Sequence, residues 1–149
     1  MNYRVNPEHI LEGDGVEYLE TTGKDSGPFS EGQPDTVVIH YTAGASMESA
    51  VTTLRDPNIK ASAHLVIGRN GDVKQLIPFD RIAWHAGRSQ YGDRSGMNRY
   101  SVGIEIDNAG RLTKSESGYT SWFGRRIQED EVIAGVHRNE AELSYWHTF

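Results

Sequence analysis

The sequence predicts an α/β or α+β domain, with a mixed central β-sheet flanked by helices. Two runs, TVVIHYTA (36–43) and YSVGIEID (100–107), have the nearly continuous, β-branched apolar character of strands covered on both faces. Between them, Asn70-Gly71 divides SAHLVIGR from DVKQLIP, the strongest short-range signal for a hairpin. Helix patterning follows the first run and recurs near the C-terminus.

Taken in order, residues 1–35 form a lead-in. VEYLET within it suits a short strand, and the Gly, Pro, Ser and Asp of TTGKDSGPFSEGQPD mark a loop. After the strand at 36–43, Ser46 is placed as an N-cap, with Ser49 at the third helical position where a capping box uses Glu. The helix runs through Arg55 and Asp56-Pro57 stops it. The hairpin at 62–78 carries its type I′ turn at Asn70-Gly71. RIAWHAG is a short extended piece ending at Gly87, and SQYGDRSGMN is a polar loop before the second buried strand. The stretch 110–125 reads as loop. Residues 128–143 read as a helix, with Val132, Val136 and Leu143 on one side and three acids in the first turn.

Composition narrows the function classes. A chain of 149 residues, 36% hydrophobic and 24% charged, is one globular domain's worth. Of the net charge of -6, residues 1–35 hold 8 acids against 2 bases, while 36–149 hold 13 of each. An electroneutral body lacks the basic footprint for a phosphate backbone, so no nucleic-acid partner is expected. No run approaches 18 apolar residues and the first twenty residues hold no apolar h-region. Neither a membrane partner nor a secretory signal is expected, which points to the cytoplasm. With no cysteine, disulfides and thiolate nucleophiles are excluded, and a metal would be held by His and carboxylates.

Two residues break the apolar pattern of the strands. His40 lies inside TVVIHYTA, either as a hydrogen-bonded core histidine or as a ligand. Glu105 lies inside GIEID, where a carboxylate is costly unless it is paired, hydrogen-bonded or bound to metal, so it is either a structural ion-pair partner or a working group. His85 follows Trp84 and either lines a pocket or ends a strand, and His64 has the same two readings. An amide is a poor electrophile, and a cysteine-free chain hydrolysing one does well with a Lewis acid and a buried carboxylate that moves the water's proton. His40 and Glu105 on neighbouring strands meet that geometry.

TVVIHYTAG, SAHLVIGRNGDVKQLIPFDRIAWHAG and NRYSVGIEIDN, in that order and spacing, resemble the N-acetylmuramoyl-L-alanine amidase type 2 family over residues 36–108. IPFDRIAWHAG followed by Gln90-Tyr91 is most similar to its anhydro-muropeptide branch. The resemblance implies a peptidoglycan-recognition-like fold and zinc-dependent (Zn2+) cleavage of the amide between N-acetylmuramic acid and L-alanine in peptidoglycan or muropeptides. By the resemblance His40 is a metal ligand and Glu105 the catalytic acid/base, while His64, Trp84 and His85 shape the substrate groove. The family's remaining His and Asp or Cys ligands belong to a segment like GHxxxxPxRKxDPG, which does not occur here.

That departure makes residues 36–149 an amidase domain expected to be incomplete at its C-terminus. His137 and His147 lie toward that end, without the Asp-Pro-Gly context. The alternative function is a non-catalytic peptidoglycan-binding module or an inactive amidase fragment, and a phage-encoded lysis role is the alternative setting.

Overall fold

The computed structural model describes residues 2–136 and 141–148. Its central sheet has five strands: β1 (Val16–Tyr18), β2 (Thr36–Tyr41), β3 (Leu65–Ile67), β4 (Val73–Gln75) and β5 (Ser101–Ile106). Their order is β1-β4-β3-β5-β2; only β3 and β4 run antiparallel, so the sheet is mixed as the sequence predicts. The lead-in supplies β1 to one edge, and Asp25–Pro28 forms a ribbon with Arg81–Ala83.

One α-helix, α1 (Met47–Arg55), stands among the described residues. It begins and ends where its caps dictate. Ser46 Oγ accepts the Ser49 N–H at 3.2 Å and Ser49 Oγ accepts the Ser46 N–H at 3.2 Å, a capping box made from two serines. Asp56, held extended before Pro57, closes the helix. Met47 and Val51 bury against Val66, Leu76, Ile77 and Ala83 to form the main core. Because Val66 is register-matched to Glu105, and Glu105 to His40, α1 packs on the sheet face that carries both anomalous residues.

The β3–β4 hairpin is present, but its turn differs from the type I′ expectation. Ile67 pairs with Val73, and the loop between them is closed by the Gly71 N–H donating to Gly68 O. Only Gly71, at φ 87°, takes a positive φ, and Asn70 does not. Asn70 instead accepts the Asp72 N–H through its side chain, chemistry that leaves its own backbone in an ordinary region.

A second sheet corrects two expectations. The stretch read as loop, 110–125, forms β6 (Arg111–Ser115) and β7 (Gly118–Ser121), and β8 (Arg126–Ile127) follows it. The stretch read as the 128–143 helix is one 3₁₀ turn, Glu129–Glu131, then β9 (Val132–Val136), which pairs with β10 (Leu143–His147). The order β8-β7-β6-β10-β9 is antiparallel throughout. Val136 and Leu143, placed on a buried helix side by the sequence reading, are 62% and 54% exposed. This sheet has its own small core of Ala109, Leu112 and Ile127. Asn108 joins the two sheets, its Nδ2 donating to His147 O at 3.0 Å and Thr148 O at 2.8 Å. No helix among the described residues is long and apolar enough to cross a membrane.

Candidate active site

His40 and Glu105 meet because β2 and β5 run parallel and in register, which puts their side chains next to one another on the α1 face. Glu105 Oε2 is buried and has no hydrogen-bond partner among the described residues, and burial holds its carboxyl above the usual carboxylate range. Among the described residues no arginine pairs with it, so the structural ion-pair reading finds no partner there.

The orientation of His40 is set by a chain of acceptors. Ser101 gives its hydroxyl proton to Met97 O at 2.7 Å, so its Oγ and its carbonyl oxygen, both 3.2 Å from His85 Nε2, can only accept. His85 therefore carries its proton on Nε2. Burial first, and then the imidazoles of His40 and His64, push His85 down to about 4, so it is neutral and its Nδ1 is an acceptor. His40 Nε2, 3.0 Å from that Nδ1, is the donor, and the lone pair of a neutral His40 is on Nδ1. Burial also lowers His40, which favours that neutral form.

Gly103 makes room for this arrangement. A Cβ at that position would lie 2.2 Å from His85 Cγ, so the ring rests directly on the backbone of β5. Asn98 Oδ1 accepts the N–H groups of His85 and Ala86 at 3.1 and 2.7 Å and fixes the turn that delivers the ring.

The other two groove candidates are placed differently. His64 is completely buried between Phe29 and Phe79, and both of its ring nitrogens are taken, Nδ1 by the Gly103 N–H at 3.0 Å and Nε2 by Arg81 O at 2.8 Å. It is a core residue that does not reach the groove. Trp84 lies beside the Asp25–Pro28 ribbon, its indole N–H donating to Ser26 Oγ at 2.7 Å. His147 also stands apart, its Nδ1 accepting the Ala109 N–H at 3.0 Å between the two sheets, and His137 lies outside the described residues.

Two depressions flank the His40–Glu105 pair. Glu105 lines a cleft of about 430 Å³ between α1, the loop after β2 and the tip of the second sheet, where Trp122 and Phe123 form the far wall. His40 lines another of about 540 Å³ bounded by Ala86, Ser89 and Gln90. The sequence reading missed Trp122 and Phe123; two adjacent large aromatics in a polar, glycine-bearing stretch were the available signal.

Residues 30–132 match the model of a family described as N-acetylmuramoyl-L-alanine amidase. The 1,6-anhydro-N-acetylmuramyl-L-alanine amidase AmpD of Escherichia coli (strain K12) is 42% identical over 62 residues, covering 42% of this chain and 34% of that protein. AmpD of Citrobacter freundii is 32% identical over 103 residues, covering 58% and 55%. The N-acetylmuramoyl-L-alanine amidase AmiD of Escherichia coli (strain K12) is 37% identical over 81 residues, covering 50% and 28%. The solved structure of PlyL superposes with a TM-score of 0.51 at 22% identity over 72% of this chain and 63% of that one, a likeness of fold. The match thus takes in between 28% and 55% of the length of these curated relatives.

Proposed function

The chain belongs to the N-acetylmuramoyl-L-alanine amidase family, and from that premise we propose that it hydrolyses the amide between the lactyl group of N-acetylmuramic acid and L-alanine. The substrate is peptidoglycan or a muropeptide, as the names of the AmpD and AmiD relatives suggest. One observation carries the reading: Glu105, whose buried Oε2 has no hydrogen-bond partner among the described residues, stands in register with a histidine whose tautomer is fixed.

In this proposal Glu105 is the catalytic acid/base. Its carboxylate takes a proton from water as the water oxygen bonds to the amide carbon. The same proton then passes to the leaving nitrogen as the C–N bond breaks, which leaves a lactyl carboxylic acid and the free amine of L-alanine. Burial suits Glu105 to both halves, because a raised pKa brings the group's proton affinity closer to neutral pH.

Zinc is the cofactor the family implies, and its chemistry would be to polarise the carbonyl and acidify the attacking water. His40 is the proposed ligand, through Nδ1. A catalytic zinc draws on three protein ligands, and the described residues contain no group of three or more His, Cys, Asp or Glu side chains able to hold a metal. The described residues do not by themselves fit a zinc centre, and the steps above use none.

The test is release of L-alanine-terminated peptide from a muramoyl peptide by the protein and by its E105Q variant. The variant is expected to keep its fold and lose about 10² to 10⁴ in turnover, the range for a general acid/base group. Equal turnover removes Glu105 from the mechanism, and binding without cleavage by the parent favours a peptidoglycan-binding module.

A further inference from the structure

We propose that the cleft beside Glu105 receives the sugar side of the scissile amide, with a pyranose ring stacked on Trp122, while the stem peptide leaves past His40. This rests on the amidase reading above and gives its substrate a direction.

Trp122 is 74% exposed, unusual for so large an apolar side chain, yet it is not loose. Its indole N–H donates to Ala43 O at 2.7 Å, across the cleft mouth, and Phe123 braces it edge-on at 5.5 Å and 89°. A flat apolar face held in place costs little conformational entropy when a ligand covers it. Such a face matches the C–H face of a sugar ring.

The rest of the lining fits the same ligand. Ala43, Gly44, Ala50 and Leu54 give small apolar contacts, and Thr42, Ser49 and Thr53 give hydroxyls. The hydroxyl protons already go to Asn108 O, Ser46 O and Ser49 O, so toward a ligand these oxygens act as acceptors, suited to the O–H and N–H donors of an N-acetyl sugar.

Charge sets the direction. Among the described residues lining this cleft, Glu105 is the one charged side chain, and none is lysine or arginine. A stem peptide beyond L-alanine bears carboxylates, which Glu105 would repel and nothing there would neutralise. On the other side of the pair, the depression lined by His40 shares Ser89 and Gln90 with one that Arg88 and Arg99 line. The anionic peptide therefore has two arginines in the depression adjoining the His40 side, and none among the described residues lining the Trp122 cleft.

The experiment measures equilibrium binding of three probes to the E105Q protein, in which hydrolysis is slowed, with and without W122A. The probes are N-acetylmuramic acid, the tripeptide L-Ala-D-γ-Glu-L-Lys, and the two joined. W122A is expected to weaken the joined probe and the sugar by about 3- to 10-fold, the scale of one aromatic contact, and to leave the tripeptide unchanged. W122F, which keeps an aromatic face, should restore most of the loss. Unchanged sugar affinity, or an equal loss for the tripeptide, overturns the proposal while the amidase reading stands. A parent that binds none of the three overturns both.

Discussion

At the scale of single residues, the tautomer of His40 is held by a second ring, His85, whose Nδ1 lies 3.0 Å from His40 Nε2. His85 is fixed by Ser101 behind it and by Asn98 at its backbone, and it rests on Gly103 below. The cost of keeping these imidazoles neutral appears as pH dependence. His85, His40 and His64 are all lowered, in each case chiefly by burial, and His147 is lowered in the same direction at the join between the sheets. An unfolded chain takes up protons at these groups near pH 6.5 while the folded one does not. Their stabilising contribution is therefore complete above about pH 6.5 and is lost as pH falls toward the folded values, about 4 for His85. Glu105, raised by burial, acts in the opposite sense, favouring the folded state only as pH drops through its range above 4.5. The expected outcome is a urea midpoint that declines from pH 7.5 to pH 5, with a shallower decline in H85N. A midpoint flat over that interval would mean that the rings are protonated in the fold.

At the scale of elements, α1 was readable from the sequence because its ends are written in local chemistry, while the C-terminal hairpin was not. Val132, Val136 and Leu143 fall at helical spacing, yet the stretch from 132 to 136 is VIAGV and its partner is LSYWH, β-branched and aromatic runs that pair across a sheet. Periodicity over few apolar residues was a weaker signal than that composition. His40 and Glu105 were legible as polar breaks in apolar runs, but their register depends on two parallel strands 65 residues apart in sequence, which no local pattern states. Trp122 was lost with the loop reading of 110–125. The helix yields a prediction at its own scale. S46A removes the acceptor for the Ser49 N–H and half of the capping box, and should cost about 1 kcal/mol by chemical denaturation. Because Ser49, Ala50, Thr53 and Leu54 form one wall of the cleft, the same variant should weaken binding of the joined sugar-peptide probe; unaltered stability would show that the cap is dispensable.

Over the whole molecule, two sheets with separate cores meet through Asn108 and His147, and the edge strand β2 turns Val37, Ile39 and Tyr41 outward, at 57%, 56% and 44% exposure. The site stands where these parts converge. The central sheet supplies His40 and Glu105, α1 supplies one wall and the second sheet supplies Trp122. A change in how the sheets are joined would therefore reach the cleft without touching Glu105.

The contrast between the two sheets also sets a timetable for the chain. Thr36 must find Ser101 and Val16 must find Val73 before the central sheet closes, whereas Leu112 meets Ser121 and Ser115 meets Gly118 around one short turn. Closing long loops before any contact rewards them is slow, and neighbouring hairpins form early. On dilution from denaturant, backbone amides of 111–121 should gain exchange protection before those of 36–41 and 101–106 in a pulse-labelling experiment. Simultaneous protection of both groups would mean that the second sheet cannot stand until the first has closed.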